Sequence, residues 1–191
     1  MVTEIELKAH VSDVKALRVT LSEKADYSYS FEKEDVYWEP VFRFRLRKEK
    51  RLYPDGSESS QCLVTWKNKQ VIDGIEINEE QEFEAKPAAD FETFLIKLGQ
   101  KPGFSKHKRG WAYVQKEKPQ NLGGITAELV EVRKLGWFLE LEIVTAGKAG
   151  DTGQKANFME EKNRLLAFLD SLGVERKAIE SRFYSEILAE P

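Results

Sequence analysis

Hydrophobic and polar residues alternate along most of the first 144 residues, which is the pattern of half-buried β-strands. In residues 2–11, VTEIELKAHV, Ile5 and Leu7 alternate with Glu4, Glu6 and Lys8. Similar patterns predict further strands at residues 35–40, 41–53, 61–69, 75–85, 103–117, 123–134 and 135–144. The turn-forming stretch PDGSESS joins the strands at 41–53 and 61–69, so these two are predicted to form a hairpin.

Helices are predicted at four places. Ser12 is the expected N-cap of a helix that runs to about Glu23, and Pro87 opens a second helix that Gly99 closes. Two more follow at residues 158–173 and 178–188. Hairpins flanked by helices indicate an α+β fold with an antiparallel sheet or barrel. We expect one domain over residues 1–191 that includes the C-terminal helices at about 155–190.

Charged residues share one face of nearly every predicted strand, since residues i and i+2 point to the same side. These residues are Glu4, Glu6, Lys8, Arg43, Arg45, Arg47, Lys67, Lys69, Glu82, Glu84, Lys106, Lys108, Glu140 and Glu142. A solvated sheet face is one explanation. The other is a barrel with this face inward, around a wet cavity. Its bases suit phosphate oxygens, its acids suit Mg²⁺ or Mn²⁺, and both together suit a metal-bound polyphosphate.

Composition excludes some functions. The net charge of −3 argues against a bulk nucleic-acid binder, although 33% of the residues are charged. No apolar run reaches the ~18 residues of a membrane span. The N-terminus leads directly into a charged strand, and Cys62 is the single cysteine. We therefore expect a cytoplasmic protein with neither a nucleic-acid nor a membrane partner.

Several short motifs point to a known family by their order along the chain. They are EIELK at 4–8, DVYW at 35–38, FRLRKE at 44–49, TWK at 65–67, EFE at 82–84, LGWFLELE at 135–142, and Tyr184-Ser185 with Leu188. Together they resemble the CYTH superfamily, the triphosphate tunnel metalloenzymes, over nearly the whole chain. The resemblance implies an eight-stranded antiparallel β-barrel tunnel with helices packed on its outside.

The resemblance also implies roles for individual residues. Glu4, Glu6 and Lys8 would be catalytic, and the metal ligands would be Glu4, Glu6, Glu140 and Glu142. The phosphate-binding residues would be Lys8, Arg45, Arg47, Lys67, Lys106 and Lys108. Glu82 and Glu84 would orient these bases or hold a second metal, and Arg43, Lys69 and Arg109 are further candidates. The implied cofactor is Mg²⁺ or Mn²⁺ and the implied partner is a small-molecule triphosphate, with a homodimer left open.

Two positions depart from the family pattern. A shift of one residue in the basic strand would select His107 and Arg109 in place of Lys106 and Lys108. Val130 stands where the family usually has an aspartate, with Glu128 and Glu131 nearby. Four functions remain open at this point: a triphosphatase, a class IV type adenylate cyclase, a non-catalytic polyphosphate-binding or nucleotide-binding module, and an interaction domain with a solvated charged sheet.

Overall fold

The computed structural model describes residues 2–39, 44–116, 123–146 and 152–189. Eight antiparallel strands close into a barrel in the order β1-β5-β4-β3-β2-β6-β7-β8, which confirms the predicted α+β barrel. The strands are β1 Val2–His10, β2 Ala25–Glu39, β3 Phe44–Leu52, β4 Glu58–Ile72, β5 Ile75–Glu84, β6 Lys101–Gln115, β7 Thr126–Val132 and β8 Gly136–Ala146. The predicted hairpin is β3–β4. Strand β1 closes the barrel by pairing with both β5 and β8.

In the described part of the chain, four α-helices accompany the barrel: α1 Val14–Lys24, α2 Ala88–Lys97, α3 Thr152–Ser171 and α4 Tyr184–Ala189. A 3₁₀ turn at Arg176–Ala178 lies between α3 and α4. Among the described residues, no helix combines the length and apolarity that crossing a membrane requires.

The main hydrophobic core lies between the barrel and its helices. Ile5 and Leu7 of β1 alternate with the charged residues of that strand, so they face outward. They pack with Leu21 of α1 and with Leu165 and Leu169 of α3. A smaller cluster joins Leu46 and Val64 of the β3–β4 hairpin to Leu95 of α2. Because the apolar faces are covered outside, the charged faces are left to line the barrel interior.

A third apolar cluster lies on the inward side of part of the wall. Val130 shares the inward face of Glu128 on β7, and Phe138 shares that of Glu140 on β8. Both are fully buried, and they cluster with Tyr184 at the start of α4. The Phe138 and Tyr184 rings meet edge to face with centroids 5.0 Å apart. Helix α4 therefore packs on an apolar strip of the inner wall. Val130, which departs from the family pattern, is part of this strip.

Three predicted boundaries were wrong. Strand β2 starts at Ala25, directly after α1, and spans 15 residues where the sequence predicted only residues 35–40. The N-cap of α1 is Asp13, whose carboxylate accepts a hydrogen bond from the Ala16 amide at 2.9 Å, and not Ser12. The predicted last helix at 178–188 is a 3₁₀ turn followed, after a break, by the short α4.

Candidate metal and phosphate site

The barrel encloses a cavity of about 720 Å³ whose lining is mostly charged. Acids and bases from all eight strands reach it. The charged residues that line it are Glu4, Glu6, Lys33, Arg45, Arg47, Glu49, Arg51, Lys67, Lys69, Glu76, Glu80, Glu82, Lys106, Lys108, Glu128, Glu140 and Glu142. The charged strand faces therefore converge on a common interior, as the barrel interpretation requires, and do not form a flat solvated surface.

Three carboxylates form an acidic cluster at the seam of the barrel. Glu4 and Glu6 on β1 and Glu142 on β8 can bring one oxygen each within 4.8 Å of one another. Burial, together with Glu4 and Glu6, raises the pKa of Glu142 to about 8. Burial also raises the pKa of Glu6, with Glu76 and Glu140 contributing. Carboxylate oxygens crowded in this way suit a hard divalent cation, which would relieve their mutual repulsion.

Glu140 has different partners from those three acids. Lys108 Nζ donates to both of its oxygens, at 2.6 and 2.8 Å, and the Tyr184 hydroxyl donates to Oε1 at 2.7 Å. Despite burial, these contacts hold the pKa of Glu140 well below its usual range. Its predicted role as a metal ligand stays a prediction. In this structure Glu140 joins the C-terminal helix α4 to the basic part of the cavity.

Asp35 organises the basic side of the cavity. It is fully buried, and Arg47 binds it in a bidentate manner through Nε at 2.6 Å and Nη2 at 3.0 Å. Arg45 and Lys106 each approach Oδ2 at 3.5 Å. Although burial opposes ionisation, the three cations lower the pKa of Asp35 well below its usual value. One carboxylate thus fixes three of the predicted phosphate-binding residues in a common arrangement.

Strand β5 supplies acids that the sequence analysis missed. Glu76 and Glu80 point inward; Glu76 pairs with Lys8 and with Lys69, and Glu80 pairs with Lys67. Lys67 also donates to Glu4 at 2.7 Å and so connects the acidic cluster to the basic side. The signal was present in the alternation of Glu76, Asn78 and Glu80, which continues the pattern of Glu82 and Glu84 towards the N-terminus of the strand. Lys33, Glu49 and Glu128 form another missed network, in which Lys33 contacts both acids.

The predicted residues occupy distinct positions. Lys106 and Lys108 are buried and line the cavity. His107 is exposed, and Arg109, 68% exposed, pairs with Glu131. The structure thus selects the register in which Lys106 and Lys108 point inward.

Lys8 is buried against Glu76. Glu82 lies at the exposed edge of the cavity and accepts a hydrogen bond from Thr65 at 2.7 Å. Glu84 is exposed and pairs with Lys86, away from the cavity lining. Arg43 lies outside the described residues.

Comparisons with known proteins support the fold. No protein-family model matches the chain, and no curated protein matches it. Among solved structures, a Pyrococcus horikoshii protein is 26% identical, with a TM-score of 0.69 and coverage of 96% of this chain and 98% of that chain. A candidate adenylate cyclase from Vibrio parahaemolyticus is 18% identical, with a TM-score of 0.70 and 98% coverage of both chains.

A third structure comes from Hippeastrum: a candidate adenylyl cyclase described as having a dominant triphosphatase activity. It is 16% identical, with a TM-score of 0.56 and coverage of 98% of this chain and 94% of that chain. At these identities the comparisons carry the fold and not the reaction. The closed eight-stranded barrel and these neighbours confirm the predicted fold, an eight-stranded antiparallel β-barrel tunnel with helices on its outside.

Proposed function

We propose that the protein is a divalent-metal-dependent triphosphatase that hydrolyses inorganic triphosphate or the triphosphate of a nucleotide or of thiamine. The observation that carries this proposal is the division of one cavity into an acidic cluster and a basic side. Glu4, Glu6 and Glu142 form the cluster. Arg45, Arg47 and Lys106 gather around Asp35. Neighbours described as a cyclase and a triphosphatase are consistent with a triphosphate ligand.

The acidic cluster fits Mg²⁺ or Mn²⁺. Its donors are all carboxylate oxygens, which these hard cations prefer, and they lie close enough to share one ion. We assign Glu4, Glu6 and Glu142 as the residues that would hold it. When bound, the cation would neutralise phosphate charge and polarise a water molecule. The raised pKa of Glu142 means that this carboxyl must lose a proton before it can bind the cation.

The basic side would bind the triphosphate itself. Guanidinium groups bond phosphate oxygens in pairs, and Asp35 already holds the Arg47 fork in a fixed orientation. Lys67 and Lys108 lie at the boundary, each paired with an acid that a phosphate oxygen could replace as its partner. Catalysis would then consist of holding the chain of phosphates in place and offsetting the charge that grows on the leaving group.

The test is product analysis with purified protein. Inorganic triphosphate, ATP and thiamine triphosphate are each incubated with Mg²⁺ or Mn²⁺, and both phosphate and cyclic AMP are measured. Metal-dependent phosphate release without cyclic AMP is the expected result. Cyclic AMP with pyrophosphate would instead establish the cyclase, and triphosphate binding without any product would establish a binding module.

A matched pair of variants ties the activity to this cavity. Glu142→Gln keeps the shape of a cluster residue but cannot ionise to bind the cation, so turnover should be lost. Glu84→Gln makes the same change at an exposed position outside the cavity lining and should retain activity. An active Glu142→Gln protein would overturn the metal assignment.

A further inference from the structure

Asn78 is a buried polar residue in the barrel interior whose side chain has no partner. It is 0% exposed, and neither its Nδ2 nor its Oδ1 atom has a hydrogen-bond partner among the described residues. Both atoms lack partners, so a flipped amide, with nitrogen and oxygen exchanged, would be equally unsatisfied. An amide can donate two hydrogen bonds and accept two, so all of its capacity is unused.

The position of Asn78 on β5 directs it to the candidate site. Its neighbours at i−2 and i+2, Glu76 and Glu80, both line the cavity, and Asn78 belongs to the same inward row. Asn78 itself is fully buried and is not among the lining residues, so the side chains around it cover its amide. In the barrel register it lies opposite Glu4 of β1 and opposite Lys69 of β4. It therefore lies between a member of the acidic cluster and a base, at the junction of the two halves of the site.

The contrast with its neighbours is informative. Glu76 and Glu80 are each paired with lysines, as buried charges must be. Asn78 alone in this row is neutral and unpaired. Burying an unsatisfied amide disfavours folding, and an apolar residue of similar size would avoid that penalty. The fold does not need the Asn78 amide, which lies where the acidic and basic halves of the site meet. Its presence is explained if a ligand completes its hydrogen bonds.

Resting on the proposed function, we infer that Asn78 is a binding residue for the metal–triphosphate complex. Once a phosphate replaces Glu80 as the partner of Lys67 and uncovers Asn78, the amide nitrogen donates to a phosphate oxygen and the carbonyl oxygen accepts from a water molecule held by the complex. A neutral amide suits this junction, because a carboxylate would repel the phosphates and a lysine would repel the cation. Asn78 therefore adds both a hydrogen-bond donor and an acceptor without altering the charge of the cavity.

The experiment compares wild type, Asn78→Leu and the control Gln81→Leu. Leucine keeps the approximate volume and removes all hydrogen bonding. Gln81 lies on the same strand β5, but it is exposed and does not line the cavity, so it controls for the same change from an amide to leucine. Melting temperatures are measured without ligand, and the Kd of inorganic triphosphate is measured by calorimetry without metal, so that the triphosphate is not hydrolysed.

Asn78→Leu should melt no lower than wild type, because an unsatisfied group has been removed, yet bind triphosphate about 3- to 10-fold more weakly. Gln81→Leu should retain the wild-type Kd. An unchanged Kd in Asn78→Leu would overturn the inference. A higher melting temperature would then indicate an amide with no role, and a lower one an amide that holds a structural water.

Two further results keep the outcomes separate. If wild type binds no triphosphate, the proposed function fails and this inference fails with it; if wild type binds and Asn78→Leu binds equally well, only this inference fails. Should Asn78→Leu not fold, Asn78→Asp keeps the size of the side chain and adds a negative charge. It should weaken triphosphate binding measured without metal, and an unchanged affinity would again contradict the assignment.

Discussion

Replacing Asp35 with asparagine should lower the free energy of unfolding by about 3–5 kcal/mol, the usual cost of removing one partner from a buried ion pair. The carboxylate is fully buried, and Arg45, Arg47 and Lys106 all converge on it. Asparagine has nearly the same shape, so the change removes charge and one acceptor without opening a cavity. Three buried cations would then be left without their common counterion.

The magnitude follows from the contacts. The two hydrogen bonds from Arg47, at 2.6 and 3.0 Å, are charge-assisted and worth about 1.5–3 kcal/mol each. Asparagine can keep one of them in weakened form, because its oxygen still accepts and its amide nitrogen does not. The electrostatic loss to Arg45 and Lys106 adds to this, but at 3.5 Å each contributes less. The sum lies within the range for a broken buried pair.

Urea unfolding at pH 7 measures the change, with Glu34→Gln as the control. Glu34 is exposed and adjacent on β2, so its replacement should alter the free energy of unfolding by less than about 0.5 kcal/mol. The pKa of Asp35 is lowered in the folded protein, so its contribution is present above the ordinary value of 3.8 and is lost as pH falls below it. A loss under 1 kcal/mol at pH 7, or a loss that does not shrink below pH 4, would refute this reasoning.

Three predictions concern ligands. Glu142→Gln should abolish the rise in melting temperature caused by Mn²⁺, while Glu84→Gln retains it; equal shifts would contradict the cluster. Arg45→Ala should weaken triphosphate binding by about 1.5–3 kcal/mol in calorimetry, and an unchanged Kd would count against its role. Because the pKa of Glu142 is about 8, this carboxyl is mostly protonated at pH 7. Mg²⁺ affinity should therefore increase roughly tenfold from pH 7 to pH 9, as the proton is lost. An affinity that does not change with pH would be inconsistent with proton release.

The sequence predicted the inward faces well where one face was clearly apolar. On β1 and β8, Ile5 and Leu141 alternate with acids, so period two determines the faces without ambiguity. On β6 the pattern fails, because Lys106, His107, Lys108 and Arg109 are consecutive basic residues and both alternations look alike. Only the neighbouring strands of the barrel select which of them point inward.

Other features depend on contacts that no local pattern encodes. On β5, Glu79 and Glu80 are consecutive acids, which obscured the inward row that contains Glu76 and Asn78. The Asp35 network joins β2 to β3 and β6, so its members are defined by strand order in the barrel. Tyr184 lies 44 residues from Glu140 along the chain, and the hydrogen bond between them forms only once α4 docks. The alternation within a single strand does not encode such long-range pairs.

The acidic cluster lies across the seam where the barrel closes, and this has a consequence for how the protein matures. Glu4 and Glu6 belong to the first strand and Glu142 to the last, and the two strands pair directly, with Glu6 opposite Glu142. During synthesis, nearly the whole barrel must be made before Glu142 can join Glu4 and Glu6 in the cluster. A cation that bound all three would stabilise only the closed barrel, since ligands favour the state that binds them. We therefore expect metal to slow the reopening of this seam, so that amide hydrogen exchange between β1 and β8 would report whether the ion is bound.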